Sequence, residues 1–229
     1  MRTTPREVCS ILNKKLFRLS EIQKKVLIGT LLGDGGLRFR GTNCRLHIKH
    51  SIHQLSLVDY KRRVFRDITS MKVNVFNQVV GKTDYSFAEF VTLTHPEFTK
   101  FYNLFYSSSN KKIVPEDIEF LLVDPLSLAV WFMDDGSAEY AGASIQTHGF
   151  TEDEVEKLIR TIFLNFGLET NKRLNKGKWI IYFPKVSLPK LNHIIGNFLL
   201  EDFKYKLIPY SIRRANPVET VRQPPLFSL

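Results

Sequence analysis

Two aspartates occupy the same place in two similar apolar runs. Asp34 closes Leu27-Ile28-Gly29-Thr30-Leu31-Leu32-Gly33-Asp34-Gly35, and Asp135 closes Leu128-Ala129-Val130-Trp131-Phe132-Met133-Asp134-Asp135-Gly136, about a hundred residues further on. Each run reads as a buried helix that delivers an acid at its C-terminal end. That end of the helix dipole is negative, so an anion there is disfavoured by about 0.3–1 kcal/mol. Two such ends side by side also repel each other and tend to retain a proton. A divalent cation between them converts both penalties into ligation, and oxygen-only donors suit Mg²⁺ or Ca²⁺. Either run alone is explained by a core helix with a polar end; the shared offset is what makes the pair a candidate site.

The flanking residues say how these helices are positioned. Ser20-Glu21-Ile22-Gln23 has capping-box spacing, Asp124 is an N-cap before Pro125, and Gly35 and Gly136 are where the helices should stop. After the first run, Leu37–Arg40 and Cys44–His50 flank Gly41-Thr42-Asn43 and read as a β-hairpin. Alternation places Arg38 and Arg40 on one face of their strand, and Arg45, His47 and Lys49 on one face of the next. Leu37, Phe39, Cys44, Leu46 and Ile48 take the opposite faces. With no acid among them, the basic side chains read as contacts for phosphates and bases.

The order then repeats. Ser51–Gln54 reads as a second capping box opening a helix, followed by a hairpin around Gly81-Lys82-Thr83-Asp84 and a helix after His95-Pro96. In the second half, a hairpin surrounds Ala141-Gly142 and Thr151–Glu154 forms another capping box. A hairpin turning at Asn175-Lys176-Gly177 carries Lys172, Arg173, Lys176 and Lys178. Lys112-Ile113-Val114-Pro115 and Lys206-Leu207-Ile208-Pro209 close the two cycles position for position. The expected class is α+β, with pseudo-twofold tandem αββαββα halves. The layout is a basic N-terminal arm (1–19), a first half (20–117), a second half (118–210) and an extended C-terminal tail (211–229).

Composition bounds the partners. A chain of 229 residues with net charge +10 and 43% hydrophobic residues is globular and wants an acidic partner, nucleic acid first. No apolar run approaches the ~20 residues of a membrane span, and the N-terminus lacks the apolar core of a secretory signal, so a membrane or secreted protein is not expected. Cys9 and Cys44 are too few for a disulfide framework or a zinc ribbon. No Ser-His-Asp arrangement competes, and Gly33-Asp34-Gly35-Gly36 lacks the Lys-Ser/Thr of a P-loop.

The paired runs resemble the name-giving motif of the LAGLIDADG homing endonucleases, in particular the monomeric two-motif type known from yeast mitochondrial introns. The resemblance covers about residues 20–210, since the hairpin order and the two Lys-x-x-Pro segments fit as well. It implies two antiparallel four-stranded sheets forming a saddle over double-stranded DNA. Asp34 and Asp135 would be the Mg²⁺ ligands, with Ca²⁺ supporting binding without cleavage. It further implies that Lys112 and Lys206 help to activate or orient the attacking water, and that His47 and Gln146 join the polar network around the phosphates. Arg38, Arg40, Arg45, Lys49, Lys82, Lys172, Arg173, Lys176 and Lys178 are the expected DNA contacts. Asp134 is read as a flanking residue that offers its backbone carbonyl. The first helix has small Gly29 and Gly33 where the second has Val130 and Asp134, and this asymmetry suggests that the DNA target is not palindromic.

The expected activity is a metal-dependent double-strand break with short 3′ overhangs at a long asymmetric site, made by a monomer in an organelle or in a bacterial cytoplasm. Two alternatives stay open: an intron RNA-splicing maturase on the same scaffold, and a DNA-binding regulator without catalysis.

Overall fold

The computed structural model describes residues 17–69, 72–81 and 83–215. Most of the basic arm, Cys9, Lys82 and residues 216–229 lie outside the described residues.

The first half runs α1 (Glu21–Leu32), β1 (Gly36–Arg40), β2 (Asn43–Ser51), α2 (Leu55–Val64), β3 (Asn74–Val80), β4 (Thr83–Val91) and α3 (Pro96–Phe105). A short helix, α4 (Ile118–Leu121), leads into the second half. That half runs α5 (Pro125–Asp135), β5 (Gly136–Ala138), β6 (Gly142–Gln146), α6 (Glu152–Phe166), β7 (Asn171–Asn175), β8 (Lys178–Pro184) and α7 (Leu188–Ile195). A 3₁₀ segment, Glu201–Leu207, and a final helix, α8 (Tyr210–Ala215), follow. The strands form two antiparallel four-stranded sheets, ordered β1-β2-β4-β3 and β5-β6-β8-β7. The same order in both sheets is the duplication seen in the sequence.

Local chemistry accounts for most helix starts. Ser20 and Thr151 make full capping boxes with Gln23 and Glu154. His95 and Asp124 cap α3 and α5, each with proline in the first turn. The Ser51 capping box does not form. Ser51 is the last residue of β2, residues 52–54 make a 3₁₀ turn, and no side chain caps α2. The extended β2–β4 ladder continues through Ser51↔Phe87 and takes the residue before it can cap. The expected stop at Gly35 is also two residues late: Gly33 caps α1, its N–H bonded to Gly29 O. Residues 211–215, at the start of the expected tail, are helical. Tyr210 N and Ser211 N donate to the carbonyls of Glu139 and Tyr140, docking α8 against the β5–β6 turn.

One hydrophobic core runs through both halves, from Leu27, Leu31 and Phe90 to Trp131, Phe132 and Phe183. At its centre α1 packs against α5 at backbone distance. A Cβ added to Gly29 would lie 2.2 Å from Ser127 O, and one added to Gly33 would lie 2.6 Å from the Cβ of Asp134. Ser127 Oγ donates to Lys25 O across the contact (2.9 Å), and Lys25 Nζ pairs with Asp124 Oδ2 at 2.6 Å. Glycine is required at position 29 because the opposing atom is a carbonyl that cannot swing aside. Gly29→Ala should therefore destabilise by about 1–3 kcal/mol, the usual cost of overpacking. Urea unfolding checks this, and an unchanged midpoint would mean that the helices are not packed through this contact.

Candidate active site

The close helix contact brings the C-terminal ends of α1 and α5 together, and with them the two acids. Asp34 lies just past the cap of α1, with its side chain half exposed. Asp135 is the last residue of α5. Burial, the Asp34 charge and the Asp134 charge push the Asp135 carboxyl up to about 8. The pair therefore shows the repulsion that the sequence implied, and Asp135 carries it.

Lys112 and Lys206 each serve the helix end of their own half. Lys112 Nζ donates to Gly33 O (2.6 Å) and Gly35 O (2.8 Å). Lys206 Nζ donates to Met133 O (2.6 Å) and Asp134 O (3.3 Å). A cation at a helix C-terminus answers the negative dipole that the carboxylates aggravate. Burial pulls both ammonium groups below the usual lysine range, against the pull of the neighbouring aspartates.

Gln146 lies in the same groove as Asp135, a space of about 520 Å³ also lined by Glu139, His148, Asn175, Lys176 and Tyr210. Its Nε2 donates to Ser144 Oγ (3.0 Å), and that hydroxyl donates to Glu139 Oε1 (2.6 Å). His47 pairs across the ladder with Gly36, and its Nε2 is 3.1 Å from Glu89 Oε2. The first hairpin is therefore not free of acid: β4 supplies Glu89, which no reading confined to β1 and β2 could find. Tyr210 was likewise missed, because a distant segment brings it to the groove, whereas Glu139 and His148 stand close in sequence to Asp135 and Gln146.

The polar faces of both sheets carry basic side chains. Register sets Arg38 opposite Arg45, and β2 alternates between buried Cys44, Leu46, Ile48 and His50 and more open Arg45, His47 and Lys49. Arg38 and Arg40 are exposed. Lys49 Nζ donates to Gln78 Oε1 (2.8 Å) and lies 4.1 Å from the centre of the Phe87 ring. In the second half, Arg173 sits 3.5 Å over Tyr182, and Lys176 and Lys178 are exposed at the hairpin turn. Lys172 is placed differently. It points to the other side of β7, where it bonds Glu152 and Glu156 of α6 and covers Trp179. Strand alternation separates it from Arg173, so it is not on the same face.

Two buried residues stand out that sequence reading passed over. Lys61, fully enclosed on α2, donates to both carboxylate oxygens of Asp134, at 2.6 and 2.8 Å. His50, buried on β2, lies between Asp34 and Asp134. The signals were present: a lysine in the apolar stripe of Leu57, Val58 and Phe65, and a histidine at an inward position of an alternating strand. The Asp134 side chain thus turns into the first half, while its backbone carbonyl faces Lys206.

Residues 24–191 match the LAGLIDADG DNA endonuclease family. The chain belongs to this family. Among relatives, it is 27% identical over 205 residues to a protein named probable intron-encoded endonuclease 1 of Wickerhamomyces canadensis, covering 85% of this chain and 87% of that one. It is 25% identical over 201 residues to the cytochrome b mRNA maturase bI2 of Saccharomyces cerevisiae, covering 81% of this chain but only 47% of the maturase. Among solved structures, it superposes on the homing endonuclease I-WcaI bound to its DNA recognition sequence with a TM-score of 0.82 and 27% identity, over 90% of this chain and 95% of that one. I-DmoI in complex with DNA and Mn shares the fold at a TM-score of 0.52 and 17% identity, over 76% of this chain and 96% of that one. The family resemblance and the tandem α+β architecture drawn from the sequence are both borne out.

The raised Asp135 carboxyl sets a pH dependence. An acid whose folded pKa lies above its unfolded value costs stability as pH rises from the unfolded towards the folded pKa. Asp135→Asn should therefore raise the melting temperature of the metal-free protein at pH 8 by at least about 2–4 °C, the shift expected of ~1 kcal/mol in a chain this size. The gain should shrink towards pH 4, close to the unfolded value of the carboxyl, where little of that cost has yet accumulated. Scanning calorimetry across that range checks this; a gain independent of pH would contradict the assignment.

Proposed function

We infer that the protein is a site-specific homing endonuclease that makes a divalent-metal-dependent double-strand break, with short 3′ overhangs, at a long asymmetric DNA target. The observation that carries the reading is the pair Asp34 and Asp135 at two abutting helix ends, flanked by basic open sheet faces. The two halves, residues 20–117 and 118–210, would each address one part of the duplex, so that one chain suffices.

The donor set fits a hard divalent cation, with Mg²⁺ the natural choice. Two carboxylates converge, and both nearby ammonium groups are bound to carbonyls rather than to Asp135. A carboxyl pushed up to about 8 by burial and like charge is one that a cation would deprotonate. Among the described residues no cluster of three or more His, Cys, Asp or Glu side chains forms a self-sufficient metal cage, so phosphate oxygens and water would complete the coordination. Such an ion, when bound, polarises the phosphate and lowers the pKa of its water.

The chain's own residues do the rest. Asp34 and Asp135 present carboxylate oxygens to the scissile region. Lys112 and Lys206 hold the helix ends in place and, with their lowered pKa values, are suited to exchange a proton with the attacking water or the leaving oxygen. Gln146 and His47 orient polar groups near the phosphates. Arg38, Arg40, Arg45, Lys49, Arg173, Lys176 and Lys178 neutralise the backbone and read base edges. The I-WcaI complex with its recognition sequence supports DNA as the partner, and the structure of I-DmoI with DNA and Mn supports divalent metal use. The relatedness to intron-encoded proteins supports work in an organelle that carries such an intron.

A second reading, intron RNA binding in splicing, has one observation in its favour: similarity to the yeast maturase across 81% of this chain. Retention of both acids and both lysines favours cutting, since binding alone gains nothing from a repulsive carboxylate pair.

The deciding experiment uses a duplex that joins the exons flanking the host intron, or a randomised duplex library, with Mg²⁺, Ca²⁺ and EDTA compared. Specific double-strand cutting in Mg²⁺ and uncut complexes in Ca²⁺ are expected. Asp135→Asn should abolish cutting and preserve binding in Ca²⁺; a cutting mutant would remove Asp135 from the site. Arg38→Ala and Arg40→Ala should weaken binding and flatten the log–log salt dependence by about one unit for each phosphate that is no longer neutralised. Unchanged affinity and slope would mean that this hairpin faces solvent in the complex.

A further inference from the structure

The twofold repeat is broken at one point inside the site. Where α1 has Gly33, α5 has Asp134, and its carboxylate crosses over Gly33 into the first half. There it meets Lys61 Nζ at 2.6 and 2.8 Å, with both side chains wholly enclosed. His50 continues the line. Its Nε2 lies 3.6 Å from Asp134 Oδ1, with no hydrogen-bond partner of its own, and its Nδ1 lies 3.6 Å from Asp34 Oδ2. A chain of charged and polar groups thus runs from α2 through the second motif helix to the acid of the first.

Among the described residues, the second half has no matching line to Asp135. Its buried Thr147 and Thr161 give their hydroxyl protons to Trp179 O (2.7 Å) and Lys157 O (2.9 Å). Stability is a poor explanation for the ion pair. Burying two charges costs several kcal/mol per ion, and apolar residues of similar volume usually serve as well or better. What an ion pair adds is a fixed geometry, and here that geometry ends on Asp34. The 3.6 Å contacts are longer than hydrogen bonds, and a shift of a few tenths of an ångström closes them.

We propose that Lys61, Asp134 and His50 form a positioning relay that holds the Asp34 carboxylate, so that cutting of one DNA strand depends on the relay far more than cutting of the other. It rests on the reading of Asp34 as a metal ligand. None of the three touches the reacting atoms. They fix one carboxylate, and the asymmetry of the relay becomes an asymmetry between the two strand cuts.

The test compares wild type with His50→Gln, Lys61→Met and Lys61→Arg on a duplex labelled separately on each strand. His50→Gln and Lys61→Met should slow one strand by about 10–100-fold, the usual effect of losing a group that orients a metal ligand. The other strand should keep its rate, so that nicked duplex accumulates. Lys61→Arg should restore most of the lost rate. Calorimetric titration of Ca²⁺ into the protein–DNA complex should show weaker binding in the same two variants by a similar factor. Equal slowing of both strands with an unchanged Ca²⁺ titration would overturn the relay, as would no change at all. If Lys61→Met does not fold, His50→Gln, which strands no buried charge, carries the test. If wild type binds the duplex without cutting it, the endonuclease reading fails, while the Ca²⁺ titration still decides the relay.

Discussion

Everything in this structure depends on two helices meeting at backbone distance with their acidic ends together. Gly29 against Ser127 and Gly33 against Asp134 leave no room for a Cβ, so the helix axes are fixed relative to each other. That contact places two carboxylates where helix dipoles and mutual repulsion both oppose them. The opposition is partly relieved by Lys112 and Lys206, which direct their charge to backbone carbonyls of the same helix ends. What remains is held in Asp135, whose carboxyl is displaced to about 8. A site under that tension has a reason to take up a cation.

The rest of the fold serves this contact. Each sheet extends from the end of a motif helix: β1 begins four residues past the end of α1, and β5 begins where α5 ends. The position of an acid and the position of the basic sheet face are therefore linked through a few residues of backbone. Tyr106 reinforces the link in the first half, its hydroxyl accepting a bond from Leu37 N beside the same segment that carries Lys112. Glu154 ties the halves together, capping α6 and accepting from Val114 N in the first half's closing segment.

Departures from the sequence reading share one cause, which is that neighbours in space supplied what neighbours in sequence did not show. Glu89 arrives beside His47 from β4, and Tyr210 arrives in the groove of Asp135 at the start of the final helix. Lys172 looked like part of a basic hairpin until alternation and the two glutamates of α6 turned it away. Ser51 had the spacing of a cap and went instead to a strand, because a ladder with Phe87 claimed its backbone.

Periodicity and local chemistry determined a good deal. The doubled acid-ended helices, the hairpins after them, the caps at Ser20, Asp124 and Thr151 and the paired Lys-x-x-Pro segments are short-range patterns, and short-range physics is enough to read them. The two sheets with identical strand order follow from the repeat. Tertiary structure alone decided which side chains share a site. The cross-half bond from Lys61 to Asp134 and the place of His50 between two aspartates join residues from β2, α2 and α5, and no pattern along the chain links them. Burial decided the rest, because the displacement of the Asp135 carboxyl depends on how far water is excluded and on which charges stand nearby, and both are properties of the packed molecule.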